Sequence, residues 1–131
     1  MRPLRRRKPQ PPPPAGHAPP LDIVAAPTPY GALVSIGGEL DLATVPRVSA
    51  ALSAEPVAGA RAVVVDLAGV TFMDSTGLAA LLDFERELAA PGGRLVLACP
   101  EGPARLLLDV TGVAERLVPH PTREAAEAAV R

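Results

Sequence analysis

The chain has 131 residues, enough for one domain and short of two comfortable ones. Its near-neutral balance of 13 basic and 14 acidic side chains hides a split: the first twenty residues carry 5 of the basic and none of the acidic, which leaves 8 against 14, a net charge of −6, over residues 21–131. An acidic remainder argues against nucleic acid as the main partner. No apolar run approaches the eighteen or more residues of a membrane helix, and the basic start lacks the apolar segment of a signal peptide, so no membrane insertion and a cytoplasmic location are expected. Cys99 is the single cysteine, which rules out an internal disulfide and fits a reducing compartment.

Residues 1–20 hold Arg2, Arg5, Arg6, Arg7 and Lys8, then Pro9 and the run Pro11 to Pro14, with Pro19 and Pro20 at the end. Proline lacks the backbone donor and fixes φ, so this stretch reads as a polyproline-like or disordered Arg/Pro tail, and residues 21–131 as the folded domain. Leu21 to Ala26 and Gly31 to Ile36 read as two strands joined by the turn residues Pro27-Thr28-Pro29-Tyr30, a hairpin. Thr44 suits the cap of a helix running to about Ala54, with Val45, Val48 and Leu52 on one face; Asp41 then lies in the preceding loop with its carboxylate free.

Ala62 to Leu67, with three consecutive valines, reads as a strand buried on both faces. A turn-rich link follows, and a helix is expected from about Ser75 to Ala89, stopped by Pro91-Gly92-Gly93. Arg94 to Cys99 forms the next strand, with Cys99 a small buried residue at its end rather than a nucleophile. Pro103 opens a short helix that ends at Gly112, a left-handed cap. Glu115 to Val118 is expected as a brief edge strand, and Thr122 to Val130 as a last alanine-rich helix. Strand and helix alternate after the hairpin, so those strands should be parallel, with the Asp41, Asp74-Ser75-Thr76 and Cys99-Pro100-Glu101-Gly102 loops sharing one sheet edge.

Asp74-Ser75-Thr76-Gly77 therefore sits where a strand delivers a hydroxyl to the start of a helix. There the first N–H groups lack intrahelical partners and the dipole is positive. Asp and Ser are both favoured helix caps, and Leu78, three residues after Ser75, rules out a capping box. Local chemistry alone leaves open whether Ser75 caps the helix or receives an anion.

Catalysis asks for more than a hydroxyl. A serine nucleophile needs a base within hydrogen-bond reach, and the only histidines are His17 in the tail and His120 between two prolines. Met73 stands where a nucleophile elbow requires glycine. One Cys and two distant His make no zinc site, and no phosphate-binding glycine fingerprint is present. A phospho-acceptor aspartate, Asp66 or Asp74, would want an acidic cluster for a cation and a distal lysine, and the only lysine is Lys8. No enzyme, metal or cofactor is expected.

Gly37-Gly38-Glu39-Leu40-Asp41, followed at the right interval by Asp74-Ser75-Thr76-Gly77, resembles the STAS domain family, and within it the stand-alone bacterial anti-sigma factor antagonists. The resemblance covers residues 21–131. It implies a single α/β STAS domain: an open, mostly parallel sheet of four to five strands with an N-terminal hairpin and helices mainly on one side. It also implies partner switching. The unphosphorylated chain binds an anti-sigma factor that is also a serine protein kinase, phosphorylation of the motif serine dissolves the complex, and a serine phosphatase restores it. Ser75 matches that serine, with Asp41, Asp74, Thr76 and Gly77 on the partner-binding surface. The alternatives within the family are a scaffold subunit of a stress-signalling assembly and a cytoplasmic subunit of a lipid-transport complex.

Overall fold

The computed structural model describes residues 21–131. The Arg/Pro tail lies outside the described residues. Two strands, β1 (Leu21–Thr28) and β2 (Gly31–Leu40), form an antiparallel hairpin around Pro29-Tyr30. They are followed by α1 (Val45–Leu52), β3 (Ala62–Met73), α2 (Ser75–Ala89) and β4 (Arg94–Ala98). Three short helices close the chain: α3 (Pro103–Val110), α4 (Val113–Arg116) and α5 (Arg123–Ala128). The sheet has four strands in the order β1-β2-β3-β4, with β2, β3 and β4 parallel, as the alternation of elements predicts.

The strand pleat sorts the core. Val63, Val65 and Leu67 point to one face with Val34 and Ile36, where Val48, Leu52, Leu81, Phe84, Leu88 and Leu108 of the helices bury them. Val64, Val96 and Ala98 point to the other, where Ala126 of α5 covers them. Thus α1 to α4 lie on one side and α5 alone closes the other. Tyr30 at the hairpin turn donates to Glu127 Oε2 at 2.8 Å, which ties α5 to the first two strands.

Burial, reinforced by that hydrogen bond, pushes the Tyr30 phenol up to about 12. The fold therefore favours the neutral phenol: its contribution is full below the ordinary value near 10 and is lost as pH rises through 12. Denaturant midpoints measured from pH 9 to 12 should fall more steeply for the native chain than for Tyr30→Phe. Parallel curves would show that the pair does not couple to stability.

Two expectations about the strands need correction. The segment after Leu67 is not a turn-rich link, because β3 runs on to Met73 by pairing with an equally extended β2, Glu39 opposite Phe72 and Leu40 opposite Met73. Two register shifts, between Ser35 and Gly37 and between Gly38 and Glu39, keep the pair together. Glu115 to Val118 is not a strand: Gly112, at φ 80°, reverses the chain directly into α4, and Val113 at its start and Leu117 just after its end pack inward one turn apart. The residue that pairs with β4 is His120, through Cys99 N–H to His120 O (2.7 Å) and His120 N–H to Leu97 O (2.9 Å). Pro119 and Pro121 on either side lack donors, so the pairing stops at one residue. Cys99 is buried as expected, and burial pushes its thiol up to about 11, which makes it a poor nucleophile at neutral pH.

Candidate functional site

Two of the three loops expected at one sheet edge meet there. The Leu40–Met73 pair places the Asp41 loop beside the start of α2, and Asp74 N–H donates to Leu40 O at 3.2 Å. Gly77, on the inner side of the first turn of α2, faces that same carbonyl; a Cβ there would lie 2.6 Å from Leu40 O. The Cys99–Gly102 loop does not join them. β4 ends opposite Asp66, seven residues before Met73, or roughly 20 Å of strand. Pro100 accordingly lines a shallow cavity with Asp66 and Arg123 instead.

Asp74, not Ser75, caps the helix. With extended φ and ψ (−113°, −174°), its Oδ1 accepts from Thr76 N–H at 2.9 Å and Gly77 N–H at 3.1 Å. Ser75 is the first helical residue, exposed, and contributes nothing to the cap. Thr76 is half-buried and lines a groove of about 260 Å³ between α1 and α2, with Val45, Ser49 and Ala80. Of the two hydroxyls, only that of Ser75 stands clear. The helix end is also less open to an anion than its sequence implies, because Asp74 already holds two of its free N–H groups.

The Asp41 carboxylate is not free. Its Oδ1 accepts from Ala43 N–H at 3.0 Å and Thr44 N–H at 3.2 Å, an Asx turn that shapes the loop. Thr44 sits at the start of α1 but gives that helix no side-chain cap. Instead its buried hydroxyl donates to Glu39 O at 2.7 Å and accepts from Asp41 N–H at 3.0 Å. Asp41, Asp74 and Ser75 thus stand on two loops locked to each other through the Leu40 backbone.

Two flanking residues were not singled out by sequence reasoning: Leu42, 74% exposed, and Phe72, 47% exposed. Phe72 falls in the segment misread as a turn. Leu42 was legible as an apolar residue between Asp41 and Ala43 in a loop with no helical or strand period. Leu42 follows Asp41 in its loop, and Phe72 stands two residues before Asp74 at the end of β3. Among the described residues no three of His, Cys, Asp or Glu converge to hold a metal, and no helix is long and apolar enough to cross a membrane.

Replacing the cap separates structure from recognition. Asp74→Ala should cost about 1 kcal/mol, which lowers the melting temperature by roughly 4 °C. Asp74→Asn keeps an acceptor for Thr76 and Gly77 and should melt close to the native chain. Equal melting of all three in a thermal scan would refute the assignment of Asp74 as the cap.

The arrangement has relatives. The STAS domain model matches residues 23–128. The anti-sigma F factor antagonist of Lysinibacillus sphaericus is 33% identical over 82 residues, covering 62% of this chain and 70% of that protein. An anti-sigma factor antagonist from Mycobacterium paratuberculosis superposes with a TM-score of 0.75 at 29% identity, covering 87% of this chain and 97% of that one. The Bacillus cell fate determinant SpoIIAA in its phosphorylated form gives 0.65 at 27% identity, over 84% of this chain and all of the other. The unphosphorylated SpoIIAA structure gives 0.70 at 25%, over 84% and 96%. With the family model spanning nearly all of the described residues, this chain belongs to the STAS domain family, and its relatives in sequence and in structure are anti-sigma factor antagonists.

Proposed function

We propose that the chain is a non-catalytic anti-sigma factor antagonist that binds an anti-sigma factor with serine kinase activity while Ser75 is unmodified, and is released when that kinase phosphorylates Ser75. The observation that carries this is the position of Ser75: exposed, outside the cap, and two residues before Gly77, whose contact with Leu40 holds the Asp41 loop alongside. A kinase needs an accessible hydroxyl on a surface it already recognises. Asp41, Leu42, Phe72 and Asp74 supply that surface around it. The relatives support the reading, one of them having been solved in both phosphorylated and unphosphorylated forms. A serine phosphatase completes the cycle.

Incubation with the cognate kinase and ATP, followed by peptide mass spectrometry, tests the site. One phosphate on Ser75 in the native chain and none in Ser75→Ala is the expected result. Phosphate on Thr76, or undiminished labelling of Ser75→Ala, refutes the assignment. A complex that persists unchanged after stoichiometric labelling refutes the release.

A further inference from the structure

The groove between α1 and α2 leads away from Ser75. It opens at Thr76, the next residue, and is walled by Val45 and Ser49 on α1 and by Ala80, Asp83 and Glu87 on α2. Thr76, Ala80, Asp83 and Glu87 recur at helical spacing, so they form one stripe along α2. At about 1.5 Å of rise per residue that stripe is about 16 Å long. Small side chains keep the seam open. Ser49, Thr76 and Ala80 leave about 260 Å³ that larger residues would fill. Leu52 and Phe84, both buried, line it from below and also line the adjoining cavity of about 320 Å³, which reaches Gly92.

The charge of the groove has one sign. Asp83 and Glu87 are exposed, and no basic side chain stands among the residues that line it. Asp83 is paired with Arg86 in the next turn, but Glu87 has no ion partner among the described residues. Arg47, the cation of α1, is engaged with Leu21 O at 2.9 Å. An apolar floor, small walls and an acidic rim suit the apolar anchors of an amphipathic helix whose flank is basic. A helix of three turns is about 16 Å long, the length of the α2 stripe. The groove is also continuous with the hydroxyl, since Thr76 belongs to its wall and follows Ser75 directly.

On the reading that the Ser75 surface receives the kinase, we propose that the α1–α2 groove holds a basic amphipathic helix of that same kinase, its apolar anchors between Ser49 and Ala80 and its basic flank on Asp83 and Glu87. Glu87 lies about 16 Å along the helix from Thr76, beyond the screening length of about 8 Å at physiological salt. The groove therefore recognises the partner at a distance from the hydroxyl that is modified, and separates holding the kinase from phosphate transfer.

The test uses the full chain and its cognate kinase. Ser49→Gln together with Ala79→Gln fills the groove from exposed positions on both walls, with a residue that favours helix. Glu87→Lys reverses the rim. Binding is measured with Ser75→Ala present in every chain, so that no phosphate forms. Calorimetry should find the filled chain bound at least tenfold more weakly than its Ser75→Ala parent. Stopped-flow mixing should find association of Glu87→Lys severalfold slower at low salt, merging with the parent in 1 M salt, where the screening length is about 3 Å. With Ser75 restored, the filled chain should be labelled with a raised KM and a native kcat. Native affinity and native KM in the filled chain overturn the proposal. If that chain melts below the native one, the amide signals of Ser49 and Ala80 in the native chain decide instead: movement on adding kinase supports the groove, and unmoved signals overturn it. A kinase that binds through the groove yet never labels Ser75 would refute the proposed function and leave this inference standing.

Discussion

Ser75→Glu should bind the anti-sigma kinase close to a hundredfold more weakly than the native chain, while Ser75→Ala binds as well. The reason lies in the carboxylates already in place. Asp74 adjoins Ser75 in the chain and holds its carboxylate on the first-turn N–H groups, where it cannot swing away without uncapping α2. A new negative charge about 5 Å from that carboxylate costs little in water, roughly 0.8 kcal/mol at a dielectric near 80. Docking a partner removes the water. At an effective dielectric near 20 the same pair costs about 3.3 kcal/mol, so binding loses about 2.5 kcal/mol, between fiftyfold and a hundredfold in affinity. Phosphate, with up to twice the charge and a stronger demand for hydration, should lose more. Alanine removes only an exposed hydroxyl outside the cap and leaves the charge pattern alone. Titration calorimetry with the three chains decides the matter. Equal affinity of Ser75→Glu and the native chain would end the electrostatic account of release.

The parts of this fold that are legible in the sequence are those set by local pattern. Val63 to Val65 announce a buried strand and Pro91-Gly92-Gly93 ends a helix, and both stand where they were read. What was misread depends on distant partners. Ala68 to Met73 has the composition of a link, yet it is strand because Gly37 to Leu40 extend to meet it. No local feature reveals that β4 stops opposite Asp66, which is what removes the Cys99–Gly102 loop from the site. Glu115 to Val118 was read as a brief strand, but the four residues do not alternate, and the apolar spacing of Val113 and Leu117 belongs to a helical turn started at Gly112. The engaged carboxylate of Asp41 was legible in principle, since aspartate before a tight loop commonly accepts from the N–H two residues on. At the candidate site the aspartates and the serine could be read directly. Their mutual fixation through Leu40 could not.

That fixation carries the other large effect, at Gly77. Alanine should stabilise a helix there by about 1 kcal/mol on propensity alone, so a glycine in the third helical position needs a reason outside the helix. Leu40 is that reason. A Cβ on Gly77 would stand 2.6 Å from Leu40 O and 2.8 Å from Leu40 Cγ, and Leu40 is fully buried at the end of β2, where it pairs with Met73. The carbonyl cannot yield as a flexible side chain would, because it is backbone and it accepts from Asp74 N–H. Gly77→Ala must therefore push the first turn of α2 off β2. Overpacking of this kind costs about 1–3 kcal/mol, enough to cancel the gain in propensity and leave the domain less stable. The same displacement breaks the Asp74–Leu40 bond and shifts Ser75 relative to Asp41, so the rate of phosphorylation should fall with stability. Ala89→Gly, at the exposed far end of the same helix, provides the contrast: a loss of up to about 1 kcal/mol with Ser75 labelled at the native rate. Denaturant unfolding and kinase labelling of both variants test this together. A Gly77→Ala chain more stable than the native one would mean that the Leu40 contact relaxes freely and does not hold the two loops in register.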